Sequence, residues 1–341
     1  MAAQIRLLVN PSAGGGKAGR VAPAVERELR AHGLIVSRDD TRGLDHAREL
    51  AVEAANRGET VVGLSGDGLI RVLADVLREI PESILGVLPG GRGNDLARVL
   101  GIPDDPIAAC ATIAHGVPRP IDLGLVRNIG AGASECAFVG IASVGFDSDA
   151  NRIANEAPAW LGGLVYAYGA LRALLSWRPA HFELELLHEP ESDGDGERIV
   201  ERLRFTAYSI GAANSKSYGG GMRAAPGALL DDGLLDVLVL ERVSKLRFLT
   251  RILPKVFSGT HVRESCVHVF RASEIAISAD RPFTMYADGD PIGQLPLRVR
   301  ALRGAVTILA PDLHTSDSPF GEPPPSPSVI ARRSDQPQTG S

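Results

Sequence analysis

One pattern, met three times in the first hundred residues, limits what this chain can fold into. A short apolar run ends in a glycine-rich turn, and a helical pattern follows. Ile5–Asn10 leads into NPSAGGGKAGR (Asn10–Arg20), Thr60–Leu64 into SGDGL (Ser65–Leu69), and Ile84–Leu88 into PGGRGND (Pro89–Asp95). Apolar runs of this length bounded by turns read as buried strands, with Leu34–Arg38 as a fourth. Helices are predicted over Gly19–Leu29, His46–Arg57, Ile70–Ile80 and from about Asn94 to Leu100. In the second, Ala47, Leu50, Ala51 and Ala54 share a face; in the third, Leu73, Val76, Leu77 and Ile80 do. Alternating strands and helices predict an α/β domain: a doubly wound, mostly parallel sheet covered on both faces.

In a parallel sheet such turns all leave the carboxyl edge, so they converge on one cleft. Glycine lets backbone N–H groups approach an anion, and helix N-termini add partial positive charge. Lys17, Arg20 and Arg92 add full charges. Asp67 and Asp95 offer oxygen ligands of the kind magnesium takes together with water. The three turns together predict a phosphate site. Plainer roles stand beside these: Lys17 as a solvated loop lysine, Asp67 as a turn residue bonding its own backbone, Asp95 as a helix cap.

Common nucleotide motifs do not account for the turns. Gly14, Gly16 and Gly19 have the G-x-G-x-x-G spacing, and Asp39 and Asp40 lie about 20 residues on, where that motif wants an acid. However, Asn10–Ala13 separates the strand from the first glycine, and the motif needs a tighter turn. No Ser or Thr follows Lys17, so the Walker A pattern fails. GLSGDG carries Asp67 where a nucleophile elbow needs glycine, which leaves Ser65 without that role.

Beyond about Pro120 the texture changes. FELELL, LRFTAYSIG, LLDVLVLE, EIAISA, FTMYADG and AVTILA are mostly alternating segments that predict a second domain of antiparallel strands. A length of 341 residues suits two domains. The acidic stretch Glu189–Glu197 reads as a hairpin loop. From Thr315 onward the chain is rich in Pro and Ser without periodicity and reads as a disordered tail. The expected division is 1–122, 123–312 and a tail over 313–341.

Ala157–Trp177 is the most apolar stretch, but glycines and Arg172 interrupt it. It reads as a buried or surface-facing helix and not as the roughly 20 apolar residues of a membrane span. MAAQIRLLVN lacks the long apolar core of a signal peptide. Cys110, Cys136 and Cys266 are far apart and odd in number, which predicts no disulfide framework or zinc site and fits a reducing cytoplasm. A net charge of −5 gives no overall attraction to nucleic acid or anionic lipid, so membrane contact requires a local patch.

NPSAGGGK, SGDGL and PGGRGNDLAR, in this order and spacing, resemble the catalytic domain of diacylglycerol and sphingosine kinases, and most closely the soluble bacterial diacylglycerol kinase family. PIDLG (Pro120–Gly124), ALLDDGLLDV (Ala228–Val237) and YADGD (Tyr286–Asp290) extend the resemblance over about residues 5–310. It implies a nucleotide domain joined to a β-sandwich domain around a cleft, with the chain end returning to the first domain. It further implies ATP as co-substrate, Mg2+, and a lipid acceptor met peripherally at a membrane surface by a cytoplasmic enzyme. Diacylglycerol is the default acceptor. A homodimer is left open.

Site roles follow from the same resemblance. Asn10, Pro11, Ser12 and Gly14 would contact ATP, with Lys17 near its phosphates and Thr41 near the nucleotide. Gly66, Asp67 and Gly68 would bind phosphates and magnesium, and Arg92 and Asn94 would join the nucleotide loop. Asp95 and Asp122 would complete the magnesium network. Asp288 would be the general base and Asp290 its support. Asp232, with the carbonyls of Leu229 and Leu234, would hold a second, structural magnesium; an ordinary Asp-Gly hairpin turn is the alternative there and at Asp288.

Four positions depart from the family pattern. Ser65 replaces the first glycine of GGDGT and Leu69 its threonine; Arg92 stands at a threonine, and Asp290 at a common glutamate. Leucine at position 69 offers no hydroxyl to a phosphate. Arginine grips phosphate bidentately, so Arg92 could take over that role. Two other readings remain: a kinase for a soluble acceptor such as NAD, and a nucleotide- or lipid-binding module without turnover.

Overall fold

A computed structural model describes residues 3–129, 135–146, 148, 153, 172, 177–188, 199–312 and 317–321. In the first half, strands β1 (Gln4–Val9), β2 (Ile35–Asp40), β3 (Thr60–Ser65) and β4 (Ile84–Pro89) run parallel in the order β2-β1-β3-β4. Helices α1 (Ala13–Ala31), α2 (Leu44–Asn56) and α3 (Asp67–Leu77) are the crossovers. Buried Ala18, Ala22, Val25 and Leu29 repeat at three- and four-residue steps along α1, and Ala47, Ala51 and Ala54 do so along α2. These stripes pack on the apolar strands to form one core. Helices α4 (Asp95–Val99) and α5 (Cys110–His115) follow β4.

Helix α3 starts and ends three residues earlier than its periodicity suggests. Gly66 is extended and admits Asp67 to the first turn, and the Ser83 hydroxyl donates to the Leu77 carbonyl at 2.9 Å, closing the helix there. The early start places the Asp67 carboxylate at a helix N-terminus.

The second half is a β-sandwich-like domain. Its strands are β5 (Val117–Asn128), β6 (Glu135–Phe138), β7 (Ile141–Gly145), β8 (Ala180–His188), β9 (Ile199–Ala213), β10 (Leu235–Glu241), β11 (Val267–Ala272), β12 (Glu274–Ala279), β13 (Thr284–Ala287), β14 (Asp290–Gln294) and β15 (Leu297–Ala310). They pair antiparallel with one another, and alternate residues fill a second core of Val, Leu, Ile and Phe. Strand β15 joins the halves. It runs antiparallel to β5 from Leu297–Asn128 to Ala310–Val117, and parallel to β4 at Thr307–Ile84 and Ile308–Leu85.

The expectation of a disordered tail fails at residues 317–321, which are docked. Asp317 pairs with Lys216 at 3.2 Å and Arg223 at 2.7 Å, and the Pro319 carbonyl accepts from Leu230 N–H at 2.8 Å. Arg119 lies over the Phe320 ring at 5.1 Å. Composition suggested disorder because the segment is short and polar; its order comes from cations that lie far away in sequence. The rest of the predicted tail, the Glu189–Glu197 loop and nearly all of Ala157–Trp177 lie outside the described residues. No helix among the described residues is long and apolar enough to cross a membrane.

Candidate active site

The glycine turns meet backbone to backbone. A methyl group on Gly14, whose φ of 60° is left-handed, would come within 2.6 Å of the Gly90 carbonyl oxygen. One on Gly91 would come within 2.4 Å of the Gly66 Cα. Gly90 N–H donates to the Ser65 carbonyl at 2.8 Å. The three turns therefore form one surface, in which Gly14, Gly15 and Gly16 all carry positive φ ahead of α1. Consecutive amides in such conformations suit an anion.

Side chains around this surface divide the work. Asn10 Oδ1 accepts from Ser12 N–H at 3.2 Å and Ser12 Oγ–H at 2.8 Å, shaping the first turn, while Pro11 packs against Gly19 of α1. Thr41 is buried at the foot of this loop and donates its N–H to the Val9 carbonyl at 2.7 Å. Asn94, left-handed at φ 52°, accepts from Gly91 N–H at 2.8 Å and so fixes the third turn. Lys17 and Arg92 are exposed and make no ion pair among the described residues, which leaves their charge for a ligand. Leu69 packs in the core, so its departure from threonine serves helix packing.

Beside the turns opens a cleft lined by Asp67, Arg71, Asp95, Ser215, Tyr218 and Asp288. Asp67 Oδ1 accepts from Leu96 N–H at 3.3 Å. Burial pushes its carboxyl up from the ordinary range, and the nearby Asp95 charge adds to the rise. Asp95 is fully engaged: its oxygens accept from Gly220 and Gly221 N–H at 2.8 Å each and from Arg98 at 2.8 Å. It ties α4 to a glycine turn of the second half.

Asp288 enters from the turn between β13 and β14 with a left-handed φ of 49°. Its Oδ1 accepts from Gly140 N–H at 3.0 Å and Ile141 N–H at 3.3 Å, and its Oδ2 from Val139 N–H at 2.9 Å. A carboxylate oxygen has two lone pairs, so Oδ2 keeps one for a proton. Burial pushes this carboxyl up to about 6; the Asp67 charge also raises it, against the Val139 and Gly140 N–H groups and the Arg71 charge. Asp290 Oδ2 accepts from Arg71 at 3.0 Å, and the same guanidinium reaches Cys136 Sγ at 3.1 Å. Asp290 thus anchors the turn that carries Asp288.

Two predicted sites lie outside the cleft. Asp122 does not line the cleft with Asp67. It is 1% exposed, and its carboxylate accepts from Gly233 N–H at 2.5 Å and Gly304 N–H at 2.7 Å, which makes it a joint between β5, the 229–234 turn and β15. The turn framed by Leu229 and Leu234, with Asp232, also lies away from the cleft. Asp232 Oδ1 accepts from Leu234 N–H at 2.9 Å, its Oδ2 is paired with Arg271, and its carbonyl accepts from Arg303 at 3.1 Å. Two guanidinium groups thus lie against this turn. No cluster of three or more His, Cys, Asp and Glu side chains suited to a metal occurs among the described residues.

Sequence reasoning missed Arg71, the Val139–Ile141 amides and the Gly219–Gly221 turn. Arg71 was signalled as a lone cation in the apolar run GLIRVLADVL, and the turn as a second triple glycine. The amides carry no side-chain signal.

Comparison with known proteins agrees with this geometry. The family "Diacylglycerol kinase catalytic domain" matches residues 4–126, and "YegS C-terminal NAD kinase beta sandwich-like domain" matches 140–310. The chain is 34% identical over 313 residues to a diacylglycerol kinase of Mycobacterium tuberculosis (strain ATCC 25618 / H37Rv), covering 90% of this chain and 95% of that one. It is 27% identical over 295 residues to a diacylglycerol kinase of Bacillus subtilis (strain 168), covering 85% and 91%. A protein of Pseudomonas aeruginosa (strain UCBPP-PA14) described as "Probable lipid kinase YegS-like" is 30% identical over 326 residues, covering 94% and 98%. A crystal structure of a diacylglycerol kinase from Bacillus anthracis str. Sterne matches with a TM-score of 0.64 at 18% identity, over 91% of this chain and 97% of that one, which shows a common fold. The chain belongs to the diacylglycerol kinase and YegS-like family of lipid kinases.

Proposed function

We propose that this ATP-using lipid kinase phosphorylates the free hydroxyl of diacylglycerol, forming phosphatidic acid, at a membrane surface. The observation that carries the reading is one cleft with Asp288 and Asp67 on its wall, opening beside the merged glycine turns. The names of the Mycobacterium and Bacillus relatives support diacylglycerol as acceptor.

Phosphoryl transfer needs positioning and charge neutralisation more than covalent help. The turns Asn10–Gly14, Gly66–Gly68 and Gly90–Gly91 wall the triphosphate site without side-chain bulk at their glycines, and Lys17 and Arg92 add charge. Asp67 stands at the N-terminus of α3 on the cleft wall, with Asp95 close beside it, and offers carboxylate oxygens of the kind magnesium takes. Magnesium, held there with water and phosphate oxygens, would supply neutralisation of the β- and γ-phosphates. Asp288 Oδ2 takes the proton of the lipid hydroxyl as that oxygen bonds to the γ-phosphorus; the bond from phosphorus to the β,γ-bridging oxygen breaks, releasing ADP. Asp290 and Arg71 hold the Asp288 turn in place.

Radiolabelled ATP offered with diacylglycerol, a sphingoid base and NAD tests the proposal. Label in phosphatidic acid is expected. Label confined to another acceptor, or activity undiminished by EDTA, refutes the substrate or the metal respectively.

A further inference from the structure

The segment 245–256 is helical, with a π turn (Phe248–Ile252) between Lys245–Arg247 and Leu253–Val256. One stripe, Phe248 and Ile252, is buried with Phe146, Trp177 and Tyr208. A second apolar stripe lies on the outer side. Leu246, Leu249, Leu253 and Phe257 follow one another at steps of three and four residues; Leu253 is half-buried against the same cluster, while Leu246 is 72%, Phe257 57% and Leu249 37% exposed. Large aliphatic and aromatic side chains so exposed on adjoining turns need a reason.

The charge around this stripe is one-sided. From Arg242 to Glu264 there are six basic residues (Arg242, Lys245, Arg247, Arg251, Lys255 and Arg263) and one acid, in a chain whose net charge is −5. The acid, Glu264, is occupied by Lys255 at 2.5 Å and Arg247 at 3.3 Å. Arg242, Lys245, Arg251 and Arg263 remain exposed around the apolar stripe. The segment also touches the cleft wall: the Val256 carbonyl accepts from Arg223 N–H at 3.0 Å, and Arg223 follows the loop bearing Tyr218 and Gly219.

We infer that the segment 245–257 is the surface by which this kinase docks on bilayers of anionic lipid, with Leu246, Leu249 and Phe257 inserted at the headgroup level and Lys245 and Arg251 on the lipid phosphates. An amphipathic helix with an apolar stripe and basic flanks lies in the interface plane in this way. The chain as a whole repels anionic lipid, so a local patch of this kind is what contact requires. The inference rests on the reading that the acceptor lies in a membrane. The distance to be bridged is short, since the segment abuts the loop that walls the cleft.

The test is sedimentation with vesicles of pure phosphatidylcholine and of phosphatidylcholine mixed with phosphatidylglycerol, whose negative surface attracts basic side chains. The wild-type chain is expected on the anionic vesicles. Leu246→Glu/Phe257→Glu and Lys245→Gln/Arg251→Gln should each lower binding about tenfold, with melting curves unchanged because none of the four residues is buried. Wild-type binding to both vesicle types alike, or undiminished binding by either double variant, overturns the inference. So does a dimer that Leu246→Glu/Phe257→Glu splits without any change in vesicle binding, which would make the patch a contact between copies. Transfer to a short-chain, monomeric diacylglycerol is measured in parallel and should be equal in all forms. If no form phosphorylates it while vesicle binding behaves as expected, the acceptor assignment falls and the docking surface stands.

Discussion

A methyl group on Gly140 would reach within 2.4 Å of Asp288 Oδ1. The amide of Gly140 also donates to that oxygen, so this glycine both holds the carboxylate and leaves room for it. Gly140→Ala should push Asp288 out of line and lower kcat about 100-fold, the usual cost of misplacing a reacting group by an ångström. Asp288→Asn should lower kcat by about 100- to 10,000-fold, the range for losing a general base. ATP binding, followed by fluorescence titration, should be unchanged in both. Wild-type turnover in Asp288→Asn would remove it from the mechanism.

The pH profile should carry the mark of that carboxylate. A base must be ionised, and Asp288 is pushed up to about 6. The rate is therefore expected to be level above about pH 7 and to fall through an apparent pKa near 6 as the proton blocks Oδ2. Because the Asp67 charge contributes to the rise, Asp67→Asn should move the Asp288 titration, read by carbon NMR of the labelled carboxyl, to lower pH. A titration that stays in place would disconnect the two groups.

At the 229–234 turn, Arg271 and Arg303 both contact Asp232. Chelation by EDTA should leave the melting temperature unchanged. Arg271→Ala should lower it by roughly 1–2 °C, the shift that about 1 kcal/mol gives in a chain of this size. Asp236, raised to about 6 by burial and restrained by Arg271, should titrate higher in that variant. Stabilisation of the wild-type chain by added magnesium in the absence of nucleotide would contradict this account.

The Asp317 clasp predicts a split between stability and the removable tail. Truncation after Gly321 should change nothing measurable. Asp317→Ala removes the partner of both Lys216 and Arg223 and should cost about 1 kcal/mol, a modest loss because Asp317 itself is largely exposed to screening solvent. Lys216 lies between Ser215 and Ser217 of the cleft wall, so KM for the acceptor should rise with it. An unchanged KM would confine the clasp to stability.

The parallel half was legible because β1, β3 and β4 are buried on both faces and the turns after them are rich in glycine; their boundaries follow from residues 5–10, 60–64 and 84–88 almost directly. The cleft was legible only in its acids. Asp67 and Asp288 lie in short motifs, but what aims them is distant or featureless: amides of Val139 and Gly140, and a guanidinium from Arg71. Asp95, Asp122 and Asp232 are ambiguous in sequence. A carboxylate beside glycines reads equally as a metal ligand or as an acceptor of backbone N–H groups. The choice depends on donors that fold in from far along the chain, at Gly220, Gly304 and Arg271.

Strand β15 has a consequence for how the molecule is made. The flank of β4 stays uncovered until Thr307 and Ile308 reach it, by which time a ribosome has emitted nearly all of the β-sandwich half. The glycine turns are encoded early, yet their supporting sheet is finished late. A nascent or recombinant fragment stopping near residue 126 would present a bare, sticky margin to other chains. It should precipitate when produced alone and be rescued by co-expression with the remainder.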